Sequence, residues 1–173
     1  GSTYKERIQR LGADLKVWYS TNRVSTKFRG ELTLEKIRPK GTWPKLKAKG
    51  AATRKLAAYA LDLITRFANP DIEDEENDDP IVVSICQLLV RFYQIIEVEG
   101  MGLSAAAKLE LPILGQSLAE CYMVLAKKSL NLRILMWKMT PKIHLFMHLC
   151  EWQCIELGNP KWWWTYCDED LVG

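Results

Sequence analysis

Apolar residues recur along much of the chain at three- and four-residue steps, the spacing that places them on one face of an α-helix. Over residues 4–19 the apolar positions are Ile8, Leu11, Leu15 and Trp18, with basic residues between them. This spacing predicts an amphipathic helix whose outer face is basic. A second stripe predicts a helix over residues 51–67, which ends before Asn69-Pro70.

The range 81–98 is apolar on almost every side of a helix. Its first residues are β-branched, as in a strand, but its polar residues form one narrow helical stripe: Ser84, Gln87, Arg91 and Gln94. A helix with so little polar surface belongs in the interior of a protein. We therefore expect residues 81–98 to form the central buried helix.

The second half of the chain predicts further helices. One helical stretch begins at Ser104 and is interrupted at Pro112, and a helix follows over residues 114–130. Another covers residues 141–157, because a threonine N-cap and a proline in the first turn favour a helix start at this point. A Gly-Asn-Pro turn ends that helix.

The sequence therefore predicts an all-α fold, a helical bundle of five to seven helices with an irregular aromatic C-terminal segment. With 173 residues, the chain is long enough for one domain and short for two. We expect a single helical domain over residues 1–173. It divides into a basic N-terminal arm at 1–50, a helical core at 51–157 and an aromatic and acidic tail at 158–173.

The net charge of +3 hides an uneven distribution of charged residues. Residues 1–55 hold 15 Lys and Arg against 4 Asp and Glu, whereas residues 56–173 hold 9 against 17. Seven of the acids lie within residues 71–79, which we expect to be a solvated loop. This separation of charge indicates a polyanionic partner or a partner domain, and the acidic loop of the same chain is an alternative partner for the basic arm.

Several classes of protein are disfavoured. The chain has no run of about 18 uncharged apolar residues, so we expect no membrane-spanning helix and no membrane partner. Charged residues lie within its first ten positions, where a signal peptide would be apolar, so we expect no signal peptide. The odd number of cysteines favours an intracellular protein, with the nucleus as one option. The sequence lacks the phosphate-loop, dinucleotide-binding and Gly-x-Ser-x-Gly motifs of common enzymes.

Basic residues alternate with aromatic residues in the first third of the chain, a composition that suits contact with DNA or RNA. Lysine side chains would neutralise phosphates, and an aromatic ring such as that of Trp43 would stack on a base or anchor the segment. The residues that we assign to nucleic-acid binding are Lys40, Trp43, Lys45, Lys47, Lys49, Arg54 and Lys55.

His144, His148 and Glu151 share one stripe of the predicted helix over 141–157. We expect them to form a structural seam that orders the C-terminal part of the fold. The alternative is a metal site, because two imidazoles four residues apart on a helix chelate one ion. Cys150 and Cys154 are also candidate metal ligands, but we expect them to be buried apolar thiols. We therefore expect no cofactor, with magnesium or zinc as the alternative.

The C-terminal third resembles the helical region near the C-terminus of CACTA-like DNA transposases. The shared motifs are a His-x-x-x-His-Leu-x-Glu run over 144–151, a Gly-x-Pro turn at 158–160 and a Trp-x-Tyr-x-x-Glu-x-x-x-Gly run over 164–173. The resemblance implies a transposon-derived protein. It also implies that Glu169 is the candidate catalytic acid, within a larger transposase whose other domain supplies the remaining acids.

Two functions are consistent with these patterns. The first is a transposase-derived helical module that associates with nucleic acid and is not catalytic on its own. Any activity would be metal-dependent DNA strand transfer or a nuclease reaction as part of a larger transposase. The alternative is a protein–protein interaction scaffold whose aromatic tail docks a missing domain or a partner.

Overall fold

The structure, a computed structural model, describes residues 3–28, 30–37, 44, 50–68 and 77–163. The helices are α1 (Tyr4–Thr21), α2 (Leu34–Ile37), α3 (Gly50–Phe67), α4 (Asp79–Val98), α5 (Ala105–Asn131), α6 (Pro141–His148) and α7 (Cys154–Leu157). A π-helical turn, Leu149–Gln153, joins α6 to α7, and a 3-10 turn covers Pro160–Trp162. These ranges contain no β-strand, so the predicted all-α helical bundle is confirmed.

Helices α1 and α3 share a small apolar core. Leu15 and Tyr19 of α1 are buried against Tyr59 of α3, and the ring of Trp18 meets that of Tyr59 edge-on at 5.6 Å. The N-terminus of α1 is fixed by a capping box between Thr3 and a glutamate one turn later. The first helix of the basic arm therefore packs on α3, across the boundary that we expected at residue 50.

Helix α4 lies between α3 and α5 and supplies the main core. Phe92 and Ile96 are fully buried, with Leu111 of α5 and Leu149 of the π-helical turn packed against them. Helix α4 is the one helix of the described ranges that is long and apolar enough to cross a membrane. A helix that is apolar all round is either a core helix or a membrane span. Helix α4 packs against α3 and α5, and 22% of its most apolar stretch is buried, so the expectation of no membrane-spanning helix stays a prediction.

Helix α5 runs without a break through Pro112 for 27 residues. The expected interruption at this proline is therefore wrong. Proline inside a helix removes one backbone hydrogen bond, a cost of roughly 3 kcal/mol relative to alanine. Its neighbours Leu111 and Leu114 are buried in the main core, and the burial of such side chains stabilises each by about 1.5–3 kcal/mol. Tertiary packing thus outweighs the local preference.

The predicted helix over 141–157 is helical along its length, but it contains the π-helical turn at Leu149–Gln153. Cys150 and Cys154 are fully buried at this turn. Gly115 of α5 faces Cys150 so closely that a Cβ atom on the glycine would lie 2.6 Å from Cβ of the cysteine. The α6–α7 segment therefore packs on α5 at a distance that only glycine permits.

Asn159 ties the C-terminal turn to the end of α4. Its side-chain amide is fully buried and donates to the carbonyls of Ile96, Glu99 and Gly100 at 2.9, 2.9 and 3.0 Å. Ile96 lies in the last turn of α4, where carbonyls lack intrahelical partners, and Glu99 and Gly100 follow the end of the helix. Gly158 has a φ of +82° and lies against the carbonyl of Met101, where a Cβ atom would be 2.6 Å away, so this position requires glycine.

Candidate nucleic-acid interface

A shallow apolar cleft of about 310 Å³ lies where α1, α3 and α4 meet. Trp18 comes from α1, Arg54 and Lys55 from the first half of α3, and Tyr93 and Glu97 from α4. The rest of the lining is formed by four small or apolar residues and one amide: Ala57, Ala58, Val90, Val98 and Gln94. The cleft therefore combines two aromatic rings and an apolar wall with two cations.

Glu97 is surrounded by three cations. Its Oε1 lies 2.8 Å from Nη1 of Arg54, and Nζ of Lys161 donates to its Oε2 at 3.0 Å. Burial opposes ionisation of Glu97, but the hydrogen bond from Lys161 and the charges of Arg54, Lys161 and Lys55 outweigh it and hold the pKa of Glu97 below its usual range. One carboxylate thus balances only one of the three positive charges at this end of the cleft.

The structure brings together two of the residues that we assigned to nucleic-acid binding. Arg54 and Lys55 both line the cleft, although Arg54 is already in an ion pair with Glu97. Lys55 has no ion pair within the described part of the chain. The other assigned residues lie outside the described residues: Lys40, Trp43, Lys45, Lys47 and Lys49.

Asp14, the acid in the middle of α1, is bound by side chains of α3. Both oxygens of Asp14 accept from Arg66, at 3.0 and 2.6 Å, and the hydroxyl of Tyr59 donates to Asp14 at 2.9 Å. The bonds from Arg66 and Tyr59 hold the pKa of Asp14 below its usual range, and burial together with this contact raises the pKa of Tyr59. The charge of Asp14 is therefore balanced by Arg66 of α3, and Asp14 does not neutralise the cations of α1.

Five cations of α1 and the loop after it form no ion pair with any described acid. They are Lys5 in the first turn of α1, Arg10, Lys16, Arg23 and Lys27. Lys16 and Lys27 line a second cleft of about 640 Å³ between α1 and residues 27–28 and 30–32. The positive charge predicted from the sequence is thus at the surface of a folded helix and its loop.

Residues 71–76 of the acidic loop lie outside the described residues. Of the part that follows, Asp78 accepts from Nζ of Lys128 on α5 at 2.7 Å. This described acid pairs with the helical core and not with the basic arm.

His144, His148 and Trp152 form a hydrogen-bonded ladder on the surface of α6 and the π-helical turn. Indole Nε1 of Trp152 donates to Nδ1 of His148 at 3.2 Å, and Nε2 of His148 lies 2.9 Å from Nε2 of His144. Because an indole nitrogen only donates, Nδ1 of His148 accepts, and its proton in the neutral ring sits on Nε2 and points at His144. Both nitrogens of His148 are thus engaged.

Glu151 stands 4.0 Å from Nδ1 of His148, the nitrogen that faces away from His144. The three residues of the predicted seam are therefore neighbours but do not converge on one point. In the described part of the chain, no three side chains of the His, Cys, Asp and Glu types are grouped as metal ligands. The ordering role and the alternative zinc or magnesium site both stay predictions.

Cys150 and Cys154 are fully buried, as expected. Burial and the nearby Cys154 and Glu151 raise the pKa of Cys150, and burial raises the pKa of Cys154 to about 12. Both thiols are therefore poor nucleophiles at neutral pH.

No family model, curated protein or solved structure matches the chain. Two of the three transposase-like motifs lie in the described residues, where 144–151 is helical and 158–160 forms the turn of Asn159. The third motif and its Glu169 lie outside them. The resemblance to CACTA-like transposases stays a prediction.

Sequence reasoning missed Tyr93 and Glu97 as parts of the cleft, and Lys161 as a partner of Glu97. Their separation along the chain gives no sign that they meet near Lys55. One signal was available: Glu97 is an acid near the end of an otherwise apolar helix, and such a charge is usually paired with a partner from another element.

Proposed function

We propose that this chain is a helical nucleic-acid-binding module of transposon origin that does not catalyse a reaction by itself. The observation that carries the proposal is the set of cations on α1 and its loop, which no described acid neutralises. Lysine and arginine side chains presented in this way bind phosphate backbones by releasing condensed counterions. The transposase-like motifs support the same reading, because a transposase acts on DNA.

The test is fluorescence anisotropy with labelled DNA and RNA over a series of salt concentrations. We expect micromolar binding at low salt that weakens as salt rises, with a slope of about 0.7–0.9 in log–log form for each phosphate neutralised. Absence of binding even at low salt would refute the proposal.

Two triple variants, each of which removes three positive charges, locate the binding surface. We expect the triple variant Arg10→Gln, Lys16→Gln and Lys27→Gln to bind more weakly and to lower the salt slope by about 2–3. The control removes the same charge from α5 and α6, at Lys108, Lys127 and Lys142, and should bind like the parent chain. Equal loss in the two variants would mean that binding follows net charge and not this surface.

The proposal assigns no reaction to the isolated chain. Within a larger transposase, Glu169 is the acid to test, with magnesium as the ion that carboxylate oxygens prefer. We expect no DNA cleavage or strand transfer by the chain alone in the presence of Mg²⁺. Cleavage that disappears in Glu169→Gln would show that the chain is an enzyme and not only a binding module.

A second candidate function is a protein-interaction scaffold, in line with the expected docking role of the aromatic tail. The supporting observation is the exposure of three tryptophans near the end of the described chain: 46% for Trp152, 54% for Trp162 and 37% for Trp163. Large exposed apolar side chains in one region mark surfaces that a partner covers. Concentration-dependent self-association, lost on replacing Trp152 and Trp162 with Gln, would favour this candidate if nucleic acid does not bind.

A further inference from the structure

We propose that the cleft between α1, α3 and α4 holds one unpaired base of a single-stranded nucleic acid, with the flanking phosphates on Lys55 and Arg54. This inference rests on the proposed nucleic-acid binding and adds its place and its form. The general basic surface of α1 binds backbone of any kind, whereas the cleft distinguishes single strands from duplexes.

The lining of the cleft suits a flat aromatic ligand. Trp18 and Tyr93 contribute rings from two different helices, and the uncharged remainder of the lining is alanine and valine side chains together with Gln94. A volume of about 310 Å³ lies at the lower end of the range of small-ligand pockets, roughly 300–1,000 Å³. Proteins that bind single strands use such aromatic surfaces because every base has a face that stacks.

The charges around the cleft suit a phosphate next to that base. Arg54, Lys55 and Lys161 surround the single carboxylate of Glu97, so two positive charges remain in excess. Lys161 donates to Glu97, which leaves Lys55 as the cation of the cleft lining with no described ion pair. An anion that carries an apolar ring therefore complements this site in both respects, and a nucleotide within a strand has this composition.

A duplex does not fit the same arrangement. Paired bases are stacked inside the double helix, and removing one from the stack costs several kcal/mol, whereas the bases of a single strand are free to turn outward. We therefore expect the chain to bind a single-stranded oligonucleotide more tightly than the duplex of the same sequence. This preference would come from the cleft and not from the surrounding lysines.

The sharpest variant fills the cleft without changing charge. Ala58 lines the cleft from an exposed position of α3, so Ala58→Leu adds volume inside the cleft and leaves the helix and the main core unchanged. The matched control is Ala106→Leu, at an exposed position of α5. A third variant, Lys55→Gln, removes one positive charge from the cleft lining.

The measurement is anisotropy with a labelled pyrimidine oligonucleotide and with its duplex, for the full chain and each variant. We expect Ala58→Leu to lower the single-strand affinity about tenfold relative to duplex affinity, and Ala106→Leu to change neither. Lys55→Gln should lower the single-strand salt slope by about 0.7, the value for one phosphate. Photo-crosslinking with a thiothymidine oligonucleotide should label Trp18 or Tyr93.

Each other outcome has a distinct meaning. Binding without a single-strand preference, or equal affinities for Ala58→Leu and Ala106→Leu, would overturn the base site and leave the proposed function intact. No binding to either form at low salt would overturn both. Binding of a polyglutamate peptide that depends on Ala58, with oligonucleotide binding that does not, would overturn the proposal and assign the cleft to an acidic protein segment.

Discussion

Gly115 lies on α5 where Cys150 of the π-helical turn packs against it, and Gly115→Ala tests that approach directly. A methyl group on Gly115 would lie 2.6 Å from Cβ and 3.2 Å from Sγ of Cys150, and 3.9 Å from Cα of Met147. The Cβ atom of Cys150 is bonded to its backbone and cannot turn away. The substitution must therefore push the two segments apart by about 1 Å to reach the usual carbon–carbon separation of roughly 3.5–4.0 Å.

Two effects of opposite sign determine the change in the free energy of unfolding. Alanine is favoured over glycine inside a helix by about 1 kcal/mol. Overpacking of a well-packed core costs about 1–3 kcal/mol, and the upper part of that range applies because Cys150 is fully buried. The expected net loss is about 1–2 kcal/mol, which for a chain of this size lowers Tm by about 2–8 °C.

Thermal unfolding followed by far-UV circular dichroism measures this loss. Gly102→Ala is the matched control, because a Cβ atom at Gly102 meets nothing within 4 Å, so its Tm should not fall. A Tm for Gly115→Ala above that of the parent chain would mean that helix preference alone decides the outcome, and the close packing of α5 on the π-helical turn would be refuted.

Three further predictions test other parts of the structure. Because the bonds from Arg66 and Tyr59 hold the pKa of Asp14 below its usual 3.8, its ionised form stabilises the fold at neutral pH, and this contribution is lost as pH falls through the lowered pKa. Asp14→Asn should therefore flatten the acid limb of a urea-unfolding profile against pH, and an unchanged limb would contradict the pairing. Pro112→Ala should raise the free energy of unfolding by about 1–2 kcal/mol in urea, since it restores a helix hydrogen bond that proline lacks, partly offset by a more flexible unfolded chain; a decrease would show that α5 needs the proline. Maleimide labelling of the native chain followed by peptide mass spectrometry should leave Cys150 and Cys154 unmodified until denaturant is added, and rapid native labelling of either would contradict their burial.

Helix positions follow from the sequence where a local pattern decides them. The stripe over 51–67 predicted a helix that the structure places at Gly50–Phe67, and the range 81–98 predicted Asp79–Val98. In both, apolar spacing and a clear stop signal agree. The continuity of α5 through Pro112 did not follow, because contacts from α4 and the π-helical turn hold that segment helical against its own preference.

The spacing of apolar residues also could not predict the π-helical turn. Its residues keep the apolar spacing of an ordinary helix, and what distinguishes them is their contact with Gly115, more than 30 residues away in the sequence. The candidate site divides in the same way. Arg54 and Lys55 were predicted from local charge, whereas Tyr93 and Glu97 reach them only because α4 packs on α3.

Asn159 connects the C-terminal turn to the proposed interface. Its three bonds to carbonyls at the end of α4 fix the chain two residues before Lys161, and Lys161 then reaches Glu97. The turn that forms part of the transposase-like pattern therefore places one of the cations beside the cleft. Asn159→Ala leaves the buried carbonyl of Ile96 and the part-buried carbonyls of Glu99 and Gly100 without this partner. The loss costs about 1–3 kcal/mol for each group that water does not reach, so we expect a clear fall in Tm.

The same variant separates positioning from mere stability. Under conditions where Asn159→Ala is still folded, we expect it to bind a single-stranded oligonucleotide as weakly as Lys161→Gln does, because both remove a cation from the surroundings of Glu97. Parent-like binding by Asn159→Ala, beside weakened binding by Lys161→Gln, would show that Lys161 finds its place without the turn. Parent-like binding by both variants would show that Lys161 does not contribute to the interface. Lys55 would then be the cation that gives the cleft its affinity for phosphate.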